Sequence, residues 1–231
     1  MPDKLDEGEE TFNVAVLIFD CETVPDLGAL RRVLGEPDAD ASDEEVLERW
    51  QEAHGGKPPL KPALQRVVAI AGAWIGDDGK MVRCTSLGEP DDGEAVLVRQ
   101  FFRLVEEKRP RLAGWNTGGY DLPLLVVRAM VHGIQAPGFY RVGGDYKGYR
   151  KRYDEEYHLD LMDVLGNYGA GGFLKLDEAA AVLGIPGKLG VDGSQVWAMF
   201  QRGETEAIRA YCETDVLTTA LVYGRYAHHR G

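Results

Sequence analysis

Two periods of apolar residues alternate along the chain. Val14 to Phe19 is an unbroken apolar run rich in β-branched and aromatic types. Apolar side chains on both faces read as a strand covered on both sides. Two carboxylates, Asp20 and Glu22, follow abruptly. Arg66–Ile75 and Met81–Leu87 read as two further strands, with Asp77-Asp78-Gly79 as the hairpin turn between them. Arg111–Trp115 is a short fourth strand. Helical spacing covers Glu94–Lys108 and Leu122–His132. Gly133 ends the second helix, Asp121 sits where an N-cap belongs, and Pro123 suits the first turn. Residues 134–157 read as irregular, aromatic and basic. Helices follow over about 160–167, 176–183, 193–202 and 205–228, punctuated by Gly184, Pro186 and Gly203.

Residues 26–65 form a helical excursion between the first two strands. Ser42-Asp43-Glu44-Glu45 has the capping-box pattern, so a helix runs from about 43 to 54 and stops at Gly55-Gly56. Pro58, Pro59 and Pro62 make an extended connector. Strands come first and helices dominate later, which gives an α/β fold with a mixed sheet flanked by helices. One domain is expected over 12–231, with residues 1–11 as a loose acidic tail.

Composition narrows the class. Hydrophobic residues make up 44% and charged residues 28%, which excludes wholesale disorder and a disulfide-stapled miniprotein. Val67 to Ile75 is the longest apolar run, short of the roughly 20 residues that span a bilayer. No membrane association is expected. Met1 to Glu10 is acidic and lacks the apolar core of a signal peptide. Cys21, Cys84 and Cys212 are odd in number, with no CxxC spacing. They read as reduced thiols in a cytoplasmic protein. Net charge is 26 − 38 = −12. Such a chain does not coat nucleic acid non-specifically, but metal ions at a carboxylate site can bring it to a polyanion.

Three clusters carry candidate chemistry. Asp20 and Glu22 are two apart on a strand, so both project to one face and Cys21 to the other. Paired carboxylates repel unless a divalent cation lies between them. The plainer reading is a strand end emerging into solvent. Tyr211 and Asp215 are four apart on a helix and share a face. Their neighbours Arg209 and Glu213 read as a solvated face. Asp121 follows the polar loop Asn116-Thr117-Gly118-Gly119-Tyr120 and is either a site residue or a plain N-cap.

In chain order the motifs are Asp-x-Glu-Thr after an apolar strand, Asn-x-x-x-Tyr-Asp before a helix, and Tyr-x-x-x-Asp on the last helix. This resembles the three motifs of the DEDD 3′–5′ exonucleases, which have a ribonuclease H-like fold. Tyrosine four residues before the last aspartate resembles the tyrosine (DEDDy) branch. The other branch has histidine five residues before it, where this chain has Ala210. Phe19-Asp20-Cys21-Glu22-Thr23, Arg66 to Ala71 and Tyr211 to Asp215 are similar to stand-alone relatives of the proofreading domain of family B DNA polymerases. The similarity runs from about 13 to 226.

The resemblance implies roles. Asp20 would bridge two divalent ions, Mg²⁺ or Mn²⁺. Glu22 and Asp215 would complete one ion's site, and Asp121 would hold the second. Tyr211 would orient the attacking water with help from Glu22. Thr23 and Asn116 would lie near the terminal nucleotide. The substrate implied is single-stranded DNA or RNA with a 3′ end, shortened by release of nucleoside 5′-monophosphates. The chemistry suits these residue types. In-line hydrolysis needs an activated water and a stabilised leaving oxygen, which two ions supply together. Hard oxygen donors favour Mg²⁺ or Mn²⁺ over zinc. A phenol with an ordinary pKa near 10 is a poor base at pH 7, so the tyrosine's role is orientation.

Tyr140–Tyr153 is the densest cationic stretch. Arg150, Lys151 and Arg152, interleaved with tyrosines, suit phosphates and stacked bases. The rival is a solvated loop. His158 and Asp160 read as structural supports, His228-His229 as a surface tail, and the four tryptophans as packing residues. Two other functions compete: a catalytically silent nucleic-acid- or protein-binding module on this fold, and an acidic-site hydrolase acting on sugars. Nothing identifies a contact to a 2′-hydroxyl, so DNA and RNA stand equal.

Overall fold

The computed structural model describes residues 14–35, 40–56, 60–186 and 193–231. The expected acidic tail and Pro58-Pro59 lie outside them. A five-stranded mixed sheet has the order β3-β2-β1-β4-β5. Its strands are β1 (Val14–Pro25), β2 (Gln65–Gly76), β3 (Met81–Ser86), β4 (Arg111–Gly114) and β5 (His158–Asp160). β1 pairs antiparallel with β2 and parallel with β4, and β5 is parallel to β4.

β1 is longer than its apolar run. It continues through Asp20 and Glu22 to Pro25, because β2 runs the full length beside it. The carboxylates therefore lie within a strand and not at its exit into solvent. β4 accompanies β1 only as far as Ile18. At Gly114 the two strands nearly touch: an added Cβ would lie 2.8 Å from the Phe19 carbonyl oxygen and 2.2 Å from Thr117 Cγ2. Only glycine fits there, and beyond it the chain turns away from β1.

Helices cover both faces. α3 (Glu94–Lys108) and α4 (Asp121–Val131) pack on Leu17, Phe19 and Ile70. α8 (Val196–Gln201) and α9 (Thr205–Arg230) pack on Ile18, Val24, Ala69 and Ala71. The α3 bounds match the helical spacing. Between β1 and β2 lie α1 (Leu27–Leu34) and α2 (Asp43–Ala53), with a small core of Leu30, Val46 and Trp50. The α2 capping box forms as expected, and Asp26 caps α1, which the sequence had left undivided in the excursion. Pro62 opens a 3₁₀ turn, so that part of the connector is not extended. α5 (Pro137–Arg141) lies in the stretch read as irregular. α6 (Leu161–Leu165) forms within the expected helix over 160–167, preceded by the unexpected β5, and α7 (Leu176–Val182) falls where expected. A three-residue strand is too short to show a period of two.

Two polar clusters position the elements. Arg128 of α4 is 4% exposed and donates to both oxygens of Glu94 and to Asp26 Oδ2 at 2.6 Å. Glu94 also accepts the Val67 amide and lies 2.7 Å from the His132 ring nitrogen Nε2. This network ties α4 to α3, α1 and β2. The second cluster holds the loop before α4. Asp160 accepts the amides of Asn116 and Gly118, each at 2.9 Å. Thr117 Oγ1 lies 2.8 Å from His158 Nε2. His158 and Asp160 are the supports the sequence suggested. Burial drives the His158 ring down to about 4; Asp163 and Asp154 oppose this and Arg111 reinforces it.

Two outcomes follow. Arg128→Met strands two acids inside the fold, and breaking such a buried network costs about 3–5 kcal/mol. Chemical denaturation should show that loss, and an unchanged midpoint would remove the network from the account. His158 has a folded pKa below its unfolded value of 6.5, so it stabilises fully above pH 6.5. That contribution falls as pH drops toward 4, by roughly 2 kcal/mol between pH 7 and 5. His158→Gln should lose this part of the pH dependence, measured as the difference in unfolding free energy between the two pH values.

Candidate active site

Asp20 and Glu22 share the α9 face of β1, while Cys21 faces the α3–α4 side. A β-bulge in β2, with Val68 as its extra residue, falls opposite Glu22 and Thr23. Bulges re-aim side chains, and this one lies beside the carboxylates. Glu22 is 8% exposed. Cys212 of α9 brings the helix against the strand: its thiol lies 3.4 Å from the Asp20 carbonyl oxygen and 3.9 Å from Oδ2. Donor atoms of Asp20, Glu22 and Cys212 all fall within 4.8 Å of one another. Tyr211 and Asp215, both buried, flank Cys212 on the same helix. An added Cβ on Gly193 would lie 3.7 Å from the Tyr211 hydroxyl, so the chain at Gly193 walls that side.

Asp121 arrives from the opposite layer. It is the first residue of α4 and not its cap; Tyr120 holds the cap position without a side-chain capping bond. The Asp121 carboxylate instead accepts the Cys21 amide at 3.1 Å. It takes the ladder position on β1 that β4 leaves after Gly114. Burial and then the charge of Asp20 push the Asp121 carboxyl well above its usual range. Burial, and the nearby acids after it, likewise raise the Cys21 and Cys212 thiols. Both cysteines stay protonated and inert at neutral pH.

The Asp20 and Glu22 oxygens fit a hard divalent cation, whereas the protonated Cys212 thiol beside them does not. Glu22 is buried and Asp20 half-buried, and a cation between them would offset their repulsion. Asp121 of α4 bonds the Cys21 amide of the same strand and Asp215 is buried on α9, but among the described residues the tight cluster is Asp20, Glu22 and Cys212 alone.

α9 is held in register by two residues that had read as solvated. Glu213 Oε1 accepts the Ser86 amide and hydroxyl, each at 2.7 Å. Arg209 donates to the carbonyls of Leu87 and Gly88. Both grip the end of β3 and fix the helix rotation that aims Tyr211 and Asp215. Helical spacing alone could not reveal this, because it identifies a face and not the partner that covers it.

The outlying residues divide. The Thr23 hydroxyl bonds Gln65 Oε1 at 2.8 Å and the Tyr120 hydroxyl at 2.9 Å, linking the first two motifs. Gln65 was not singled out in the sequence. Asn116 adopts a positive φ of 59° in the loop before α4. Beyond that loop opens a cleft of about 410 Å³, lined by Gly118, Gly119, Leu122, Arg150, Arg152 and Phe173 among others. Arg150 lies over the Tyr140 ring, and Lys151 is exposed. Arg152 is held by Asp163 through two bonds, and Lys147 by Glu156. Tyr149 is buried and donates to the Pro110 carbonyl, so it cannot stack a base. Part of the basic stretch is thus internal structure. The histidines at 228 and 229 are exposed but belong to α9. No helix among the described residues is long and apolar enough to cross a membrane.

No curated protein sequence matches the chain. The family B DNA polymerase from the hyperthermophilic archaeon Pyrobaculum calidifontis is structurally similar, with a TM-score of 0.59 and 21% identity over 92% of this chain. E. coli exonuclease I in complex with a dT13 oligonucleotide aligns over 90% of the chain with a TM-score of 0.48 and 12% identity. The chain spans 24% of that polymerase and 40% of that exonuclease. Residues 57–231 match the family described as "Predicted 3'-5' exonuclease related to the exonuclease domain of PolB". On that match, and on the mixed α/β sheet shared with the polymerase, the chain belongs to this family of 3′–5′ exonucleases.

Proposed function

We propose that the chain hydrolyses the terminal phosphodiester bond at the 3′ end of single-stranded DNA or RNA and releases a nucleoside 5′-monophosphate. The observation that carries this reading is the meeting of the Asp20 and Glu22 carboxylates with Cys212 of α9 within 4.8 Å, with Asp121 bonded to the same strand. Asp20, Glu22, Asp121 and Asp215 would hold two divalent cations, Mg²⁺ or Mn²⁺. Such ions, when bound, supply Lewis acidity and neutralise phosphate charge. The tyrosine of the last motif supports the DEDDy assignment.

The chain's own residues do the rest. The Tyr211 hydroxyl orients the attacking water, and the Glu22 carboxylate accepts a hydrogen bond from it. Burial keeps competing water out and strengthens each electrostatic contact. The Thr23–Tyr120–Gln65 cluster and Asn116 shape the seat of the terminal nucleotide. Arg150, Lys151 and Arg152 meet the strand further on. Arg152 acts through its fixed geometry, because Asp163 already engages it.

The test uses 5′-labelled single-stranded DNA and RNA of one sequence, with Mg²⁺ and with chelator. A ladder shortening from the 3′ end only with Mg²⁺ is expected. Activity that survives chelator would overturn the metal-dependent reading. Asp20→Asn and Asp215→Asn should abolish the ladder. Tyr211→Phe keeps the ring and the carboxylates but loses the hydroxyl. Its kcat should fall about 10- to 1000-fold, the scale of a lost positioning contact, with metal affinity retained. Loss of metal binding in Tyr211→Phe would make the tyrosine structural.

A further inference from the structure

The start of β2 carries a cation that the proposed reaction has not used. Arg66 pairs with Val24, whereas Glu22 pairs with Ala69. Val24 and Ala69 belong to the core on the α9 face, and the Arg66 side chain reaches Phe200 of that core. Arg66 therefore lies on the same face as Asp20 and Glu22. Its register position is two residues beyond Glu22, roughly 6–7 Å along the strand. It is half-buried, at the rim of the carboxylate cluster.

The guanidinium does not turn to the acids. Its Cζ sits 4.9 Å from the centroid of the Phe200 ring. Phe200 in turn stacks with Trp197 of α8, with an interplanar angle of 18°. Among the described residues Arg66 forms no ion pair. Several other arginines are engaged: Arg128 by Glu94 and Asp26, Arg152 by Asp163, and Arg209 by two carbonyls. A ring beneath a guanidinium fixes its plane and leaves the edge N–H groups pointing outward. That edge has the fork geometry that binds two oxygens of one phosphate.

We propose that Arg66, held flat on Phe200, is a phosphate-binding residue for the phosphodiester backbone of single-stranded nucleic acid, between the start of β2 and α8. The inference rests on the exonuclease reading of the neighbouring carboxylates. It also addresses a problem of charge. A chain of net charge −12 repels a polyanion at long range, so attraction must come from cations placed at the site. Arg66 supplies one without neutralising Glu22.

Steady-state kinetics on 5′-labelled oligo(dT) and oligo(U) with Mg²⁺, over a series of KCl concentrations, tests this. Arg66→Met keeps apolar contact with Phe200 and removes the charge. KM should rise about tenfold, the scale of one lost charge-assisted contact. The slope of log KM against log salt should fall by about 0.7, the value for one single-strand phosphate contact. The loss should fall on KM and not on kcat. Arg66→Gln, uncharged and still polar, repeats the test if methionine disturbs the packing. The same change at Arg103, exposed on α3 and paired with Glu107, should alter neither quantity. Wild-type KM and salt slope in both Arg66 variants would overturn the proposal. So would a fall in kcat alone, which would mark Arg66 as structural. If the wild type itself cuts nothing with Mg²⁺, it is the exonuclease reading that fails.

Discussion

The structure depends on holding negative charges together at a largely buried site. Asp20 and Glu22 share one face of a strand, and Asp121 is aimed at the same strand from the opposite layer. Asp121 is 2% exposed, and burial with the charge of Asp20 disfavours its ionised form. The arrangement makes physical sense when cations complete it.

The surrounding fold keeps these groups from relaxing apart. Each carboxylate-bearing element is pinned by contacts that do not involve the carboxylates. β1 lies between β2 and β4, and the bulge at Val68 of β2 lies opposite Glu22 and Thr23. Arg128 locks α4 to its neighbours, and Asp160 holds the loop that delivers Asp121. α9 is gripped at the end of β3 by Glu213 and Arg209. The early end of β4 is equally important. Because Gly114 turns the chain away, the Cys21 amide is left for a side chain from another element. The site is thus a gap in a ladder, filled by an acid.

Much of this was legible in the sequence. A run of β-branched residues interrupted by Asp-x-Glu cannot hide in a two-sided strand without a reason, and Tyr-x-x-x-Asp on a helix shares a face by geometry. The α3 and α2 boundaries followed from periodicity and capping. What escaped notice depended on long-range partners. Asp121 looked like a cap because the competing donor, Cys21, is 100 residues away in sequence. Glu213 looked solvated because Ser86 lies 127 residues away. Tyr149 reads as a stacking residue, but Pro110 holds its hydroxyl in the interior, and Asp163 fixes the still exposed Arg152. β5 was too short to carry a pattern of its own. Periodicity reports a residue's face, and only tertiary structure reports what fills it.

The central claim is that the carboxylates are a cation site whose repulsion the fold tolerates. Thermal unfolding of the wild type and Asp121→Asn, each with and without Mn²⁺, tests it most directly. Asn keeps the oxygen that accepts the Cys21 amide and removes the charge. The account predicts that without metal the variant melts at or above the wild type. With Mn²⁺ the wild type should gain stability, about 2–4 °C for each kcal/mol of binding linkage, and the variant should gain much less. A variant that melts well below the wild type without metal, yet gains as much from Mn²⁺, would contradict the account.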